Sequence, residues 1–317
     1  MAATTDVARA TQRVAPPPPS AQARARRRHN NLVGWAFALP WFLLFLVFLA
    51  GPILASLLLS FTSFGLGDLR NPIGTSFIGI ENFRALASDP KFHQSTINTL
   101  YFVVAGVPLT LGFGLGAALL LNSALIRFKT FFRMGFYLPV VTSIVAIAVI
   151  WRYLLHPDLG LINNLLAAVG IDGPNWLADP ILAMPAIIAM AVWRNVGFVL
   201  VIFLAGLQGI PQDLSEAARI DGASRWKEFR YITLPMLRPT LLFASVITGI
   251  GYLQLFEEPF VMTGGGPLDR TLSVTMYVYQ QGFSFLNLGY ASAVAYALFV
   301  AIVILTVINF RLLRPQT

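Results

Sequence analysis

Long segments that are almost free of charge alternate with shorter polar segments along most of this chain. Residues 32–61 hold no charged side chain. As a helix they would extend about 45 Å, more than the ~30 Å hydrocarbon core of a bilayer. The pattern predicts an all-α, polytopic membrane protein with six transmembrane helices. The predicted spans are residues 32–61, 96–122, 134–155, 181–207, 239–261 and 288–310.

The basic residues predict the orientation of these spans. Lysine and arginine collect in cytoplasmic loops, and most of the 22 basic residues fall into four segments separated by pairs of spans. These residues are Arg9, Arg13, Arg24, Arg26, Arg27, Arg28, Arg127, Lys129, Arg133, Arg219, Arg225, Lys227, Arg230, Arg238, Arg311 and Arg314. Both termini are therefore expected to be cytoplasmic. Nineteen arginines against three lysines suggest a GC-rich genome, so the expected location of this multi-pass protein is a bacterial inner membrane.

The first 30 residues differ from the rest of the chain. They contain six arginines and the run Pro16 to Pro19, which is typical of a disordered tail that contacts anionic lipid headgroups. Arginines before an apolar run also begin secretory signals, but their apolar core spans only about 7–15 residues. The chain is therefore divided into a disordered cytoplasmic tail, residues 1–30, and a transmembrane domain, residues 31–317.

The composition narrows the function further. Hydrophobic residues make up 56% of the chain and charged residues only 11%, which excludes a water-soluble enzyme. The net charge of +8 is explained by the basic residues of the predicted cytoplasmic segments. No nucleic-acid partner is needed to explain it. The chain has no cysteine, and its three histidines lie far apart. Neither a metal site nor a cysteine nucleophile is expected.

Residues 208–238, between the fourth and fifth spans, have the pattern helix, break, helix. Pro211 suits a first helical turn, and Gly222 can end that helix in a left-handed conformation. Ser224 can cap a second helix, on which Trp226 and further apolar residues recur every three positions. This apolar stripe needs a partner. The partner is either the chain's own helix ends or a separate protein.

The same loop resembles a known family. Glu216-Ala217-Ala218, with Gly222 six residues after the glutamate and Leu234-Pro235 further on, resembles the "EAA" loop of ABC importer permeases. Three more segments are similar to carbohydrate permeases of the maltose and glycerol-3-phosphate type. They are Phe77 to Phe83, Trp193 to Gln208, and Thr263-Gly264-Gly265-Gly266-Pro267. The resemblance extends from about residue 32 to the C-terminus and implies the type I permease fold.

The resemblance also implies partners. A cytoplasmic ATPase would grip the loop through Glu216, Ala217, Ala218, Asp221 and Gly222, although Asp221 equally suits a local turn. The expected assembly contains a second homologous permease, two ATPase subunits and an extracytoplasmic solute-binding protein. The chain itself lacks the Gly-Lys-Ser/Thr of a phosphate-binding loop. It is expected to be no enzyme and to need no cofactor.

Polar residues within spans indicate where solute could pass. By the same resemblance, the pathway residues are Arg194, Asn195, Phe198, Thr248 and Tyr252. Alternatively, Arg194 pairs with a carboxylate such as Glu257 and binds no solute.

The predicted function is ATP-driven, binding-protein-dependent import of a sugar, oligosaccharide or polyol by alternating access. A phosphorylated polyol such as glycerol-3-phosphate is an alternative solute, and an ion-driven secondary transporter is an alternative class. An intramembrane hydrolase is disfavoured because the chain has no cysteine and no His-Glu-x-x-His motif.

Overall fold

The computed structural model describes residues 21–71, 74–123 and 127–313. Within these ranges the chain is mostly helical and forms no strand, apart from one isolated bridge between Thr62 and Phe77. The predicted all-α class is confirmed.

The described helices are, in chain order, α1 (Ala21–Phe45), α2 (Gly51–Leu59), α3 (Glu81–Ser88), α4 (Pro90–Asn122), α5 (Lys129–Val141), α6 (Ile144–Leu154), α7 (Leu161–Ala168), α8 (Ala183–Gln208), α9 (Gln212–Ile220), α10 (Arg225–Glu228), α11 (Leu234–Met236), α12 (Arg238–Leu253), α13 (Glu257–Met262), α14 (Val274–Tyr279) and α15 (Leu288–Leu313). A short π-helical turn follows each of α1, α10 and α14.

The chain divides into two compact units between Ala55 and Ser56. In the first unit, α1 begins at Ala21, so residues 21–30 of the expected disordered tail are helical. Alanine and arginine are strong helix formers, and they alternate at the start of this helix. The rest of the expected tail, residues 1–20, lies outside the described residues.

The second unit is organised around α8, which is largely buried and packs along the length of α4. Close approach of these two helices depends on small residues of α4. A Cβ atom added at Gly114 would lie 2.7 Å from Cγ1 of Val199. Phe102 and Ile187 are fully buried where the helices meet. Small residues allow the backbones of transmembrane helices to approach closely.

Among the described residues, four helices are long and apolar enough to cross a membrane, and two further helix pairs are bent spans or re-entrant segments. Counting each pair as one span gives the predicted six. The third span, predicted as one helix over residues 134–155, is instead α5 and α6 at an angle of 97°. Thr142 has extended backbone at the bend, three residues after Pro139 inside α5.

The fifth span also differs from the prediction of one helix over residues 239–261. α12 ends at Leu253, and α13 follows after a short break. At the other end of α12 the chain bends by 66° relative to Arg225–Met236. Leu237 lies at this bend with only 1% of its surface exposed. The bend therefore lies in the hydrophobic core of the second unit.

Candidate functional site

The loop between α8 and α12 has the predicted helix, break, helix structure. α9 ends at Ile220, and Gly222 follows two residues later with a left-handed φ of +78°. The amide of Ala223 donates to the carbonyl of Ala218 at 2.9 Å, and the amide of Gly222 donates to the carbonyl of Arg219 at 3.1 Å. Ser224 then caps α10 by accepting a hydrogen bond from the amide of Lys227 at 3.4 Å. Both the Gly222 and the Ser224 predictions are confirmed.

The loop is open to its surroundings. No residue of α9 or α10 is buried. Ile220 is 86% exposed and Trp226 is 69% exposed, even though the Trp226 ring packs on Phe229 with 5.7 Å between centroids. This chain therefore leaves Ile220 and Trp226 largely uncovered, whereas Phe229 and Ile232 are half-buried. Of the five residues in the resemblance, only Ala218 is half-buried, and the other four are exposed.

An ion pair that the sequence pattern did not indicate joins the two loop helices. Nε of Arg219 lies 3.1 Å from Oε2 of Glu228, and Nη2 lies 3.1 Å from Oε1. Hydrogen bonding to Glu228, together with its charge, raises the pKa of Arg219. The only sequence signal for this pair is opposite charge on either side of a short turn.

A second group of polar residues lies where α4, α8 and α12 meet. The Tyr252 hydroxyl is 2.7 Å from Oγ1 of Thr110, and the Tyr252 ring packs on Phe102 with 4.8 Å between centroids. Tyr252 is 6% exposed and Thr248 is 7% exposed. Both predicted residues of α12 are therefore buried within the bundle, and Thr110 is a partner that the sequence did not indicate.

The predicted residues of α8 lie beside this group. Asn195 donates to the carbonyl of Ala191 at 2.8 Å and also hydrogen-bonds to Tyr252. Nε of Arg194 is buried and has no hydrogen-bond partner. Among the residues that the structure describes, no ion pair joins Arg194 to Glu257 or to any other carboxylate. Phe198 is half-buried. The structure thus brings together Arg194, Asn195 and Tyr252.

A third polar group joins the ends of α4, α14 and α15. Asp89 caps α4 by accepting from the amide of Lys91 at 2.9 Å. It also accepts from the hydroxyl of Tyr277 and, at 2.5 Å, from that of Tyr290. Burial acts to raise the pKa of Asp89, but the hydrogen bonds outweigh burial and lower it. The pKa of Tyr277 is raised to about 12 by burial and by its bond to Asp89.

Comparisons with known proteins place these groups in context. The family model described as "Binding-protein-dependent transport system inner membrane component" matches residues 109–315. The matched segment includes the exposed loop and the polar residues of α8 and α12.

Individual relatives cover nearly the whole chain. The lactose transport system permease protein LacF of Rhizobium radiobacter is 36% identical over 295 residues, which cover 92% of this chain and 97% of the relative. The probable ABC transporter permease protein YesP of Bacillus subtilis (strain 168) is 40% identical over 289 residues, covering 90% and 91%.

A solved structure has a similar fold. It is the crystal structure of a bacterial ABC transporter involved in the import of the acidic polysaccharide alginate. One of its chains aligns with a TM-score of 0.77 and 25% identity, over 93% of this chain and 99% of that chain.

Proposed function

Because this chain belongs to the family of binding-protein-dependent transport system inner membrane components, we propose that it is the permease subunit of an ATP-driven importer of a sugar or oligosaccharide. The resemblance to ABC importer permeases is thereby confirmed. The observation that carries the choice of solute is the 36% identity to a lactose permease over 92% of the chain. The chain itself is proposed to hold no ATPase site.

The exposed loop is proposed to couple this permease to its ATPase. Glu216 and Asp221 offer carboxylates on its surface, and Ile220 offers an apolar side chain that is 86% exposed. Ala217 and Ala218 allow a partner to approach closely. Such an apolar surface with a polar rim is typical of an interaction site, and the cytoplasmic side predicted for this loop is where an ATPase would bind.

The proposed assembly contains this chain, a second homologous permease, two ATPase subunits and an external solute-binding protein. Closure of the ATPases on ATP would move α9, and the spans would alternate between inward-open and outward-open states. Solute would pass Arg194, Asn195, Phe198, Thr248 and Tyr252. Since Tyr252 and Thr248 are buried here, they would meet solute only after α4 and α12 separate.

One observation favours a second candidate solute. The buried Nε of Arg194 has no hydrogen-bond partner, and a guanidinium group binds carboxylate or phosphate well. A phosphorylated polyol such as glycerol-3-phosphate is therefore the second candidate.

Uptake into proteoliposomes tests the proposal. The importer would be reconstituted from this chain, its second permease, its ATPase and its solute-binding protein, with radiolabelled lactose and glycerol-3-phosphate as probes. We expect uptake of lactose that requires both ATP and the binding protein. Uptake driven by an ion gradient without ATP would overturn the proposal, and uptake of glycerol-3-phosphate alone would reverse the choice of solute.

The substitution Gly222→Asp tests the coupling role of the loop. It places a charged side chain on a left-handed residue at the proposed docking surface, so we expect ATP hydrolysis to continue while uptake is largely lost. Gly170→Asp is the matched control. Gly170 lies after α7, with a φ of +79° and open space around it, as at Gly222. Equal loss of uptake in both variants, or normal uptake in Gly222→Asp, would contradict the coupling role.

A further inference from the structure

The turn between α9 and α10 does not by itself fix the angle between the two helices. It consists of residues 221–224, and Gly222 has no atom within 4 Å of the position that a Cβ would occupy. The cap hydrogen bonds close the last turn of α9, but they lie within α9 and its own C-terminal residues. A glycine in open space imposes little restraint on backbone direction.

The Arg219–Glu228 pair supplies the missing restraint. Its two parallel hydrogen bonds are both 3.1 Å long. The Glu228 side chain is only 13% exposed, compared with 65% for Arg219, and Ser215 also hydrogen-bonds to Glu228. Two parallel bonds between planar groups fix orientation as well as distance. The pair therefore holds α9 against α10 at a defined angle.

From α10 the helical path continues to the membrane. A π-helical turn, Phe229–Thr233, joins α10 to α11. Leu237 follows and is buried against residues of α4 and α8. α12 begins at the next residue. A displacement of α9 can thus reach α12 through the helical segment Arg225–Met236 and the buried bend at Leu237, provided that the link between α9 and α10 does not bend.

We propose that Arg219 and Glu228 form a positioning pair that makes the loop rigid, so that movement of a protein docked on α9 is transmitted to α12. This inference rests on the proposed coupling function. Neither residue is needed to contact the ATPase. The pair fixes the angle between α9 and α10. A residue on the docking surface of α9 would instead affect only the binding of the ATPase.

Distances between spin labels test the rigidity in the purified chain alone. The chain has no cysteine, so Gln212→Cys on α9 and Met236→Cys on α11 give a defined label pair. Both native side chains are exposed. In this background, Glu228→Gln removes the charge of the carboxylate, and Arg219→Lys keeps charge but loses the planar fork.

We expect a narrow distance distribution with the native pair and a broad one in both variants. Loss of the pair should raise the population of other α9 orientations about fivefold. The double reversal Arg219→Glu with Glu228→Arg should restore the narrow distribution. Lys227→Gln, an exposed charge change on the same helix, should leave it narrow. An unchanged distribution in Glu228→Gln would overturn the inference.

The reconstituted importer supplies the functional measurement. Glu228→Gln should raise the number of ATP molecules hydrolysed per solute imported about fivefold, and the double reversal should bring it back. A normal ratio despite a broadened distribution would overturn the transmission role. If uptake never requires ATP in the native protein, the proposed function fails, whereas the label distances still report on rigidity.

Discussion

At the scale of single residues, Asp89 joins the ends of three helices. Its carboxylate caps α4 and accepts hydrogen bonds from tyrosines of α14 and α15. These bonds hold its pKa below the ordinary value of 3.8. The pKa of Tyr277 is raised from 10.0 to about 12. Each shift makes folding stability depend on pH.

The signs of the two shifts predict a plateau in stability. Asp89 stabilises the fold fully above pH 3.8, the pKa of its carboxyl in the unfolded chain. This stabilisation is lost as the pH falls through the lower pKa of the folded state. Tyr277 stabilises the fold fully below pH 10.0, the pKa of its hydroxyl in the unfolded chain. This stabilisation is lost as the pH rises through about 12, its pKa in the folded state. We therefore expect the stabilisation from this group to be constant from about pH 5 to 9. Thermal unfolding of the detergent-solubilised chain across this range would measure it.

Asp89→Asn isolates this contribution from other titrating groups. The difference in Tm between the native chain and the variant should be constant on the plateau and shrink in acid. A difference that grows as the pH falls below 4 would contradict the assigned direction of the Asp89 shift.

Local and distant contacts of single residues differ in how well the sequence predicted them. Gly222 and Ser224 were predicted correctly because a helix end depends on residues within one turn. The partners of Asp89 lie 188 and 201 positions away. Nothing near Asp89 in the sequence indicates Tyr277 or Tyr290, so this group could be found only after the chain had folded.

At the scale of elements, the contact between α4 and α8 depends on which face of α4 carries each glycine. A Cβ added at Gly114 would lie 2.7 Å from Val199, whereas one added at Gly112 would have no atom within 4 Å. These two glycines are two residues apart on the same helix. Substituting each by alanine therefore separates packing from helix propensity.

We expect opposite effects on the stability of the purified chain. Gly112→Ala should stabilise it by about 0.5–1 kcal/mol, because alanine restricts the unfolded chain and favours helix. Gly114→Ala should destabilise it by about 1–3 kcal/mol, because the added methyl forces Val199 to move. Thermal unfolding in detergent measures both. Equal effects of the two substitutions would show that α4 and α8 pack in a different register.

The positions of the spans were predicted more accurately than their shapes. Hydropathy measures the length of a charge-poor segment, so it located the four long helices and indicated the regions of the two bent pairs. It does not record backbone direction, and it therefore missed the 97° bend between α5 and α6. Pro139 was a signal of that bend in the sequence. The early end of α12 at Leu253 had no such signal, because the charges of Glu257 and Glu258 lie beyond it.

At the scale of the whole molecule, the two bent pairs decide the topology. Each pair is either a broken span or a re-entrant segment. If α5 and α6 together cross the membrane, residues 157–180 lie outside and the loop of α9 and α10 lies inside. If this pair returns to the side on which it began, both segments exchange sides. The distribution of basic residues favours the first arrangement, because residues 208–238 hold five of them.

Labelling of single cysteines distinguishes these two arrangements, since the native chain has no cysteine to react. Gln212→Cys on α9 and Asp172→Cys after α7 both replace exposed side chains. With a membrane-impermeant maleimide, we expect Asp172→Cys to react from the outer face of intact cells. Gln212→Cys should react only in inverted vesicles. The reverse result would place the proposed docking loop outside the cell, where no ATPase could reach it. Either the six-span topology or the predicted orientation would then be wrong, and in both cases so would the coupling role of Glu216 to Gly222.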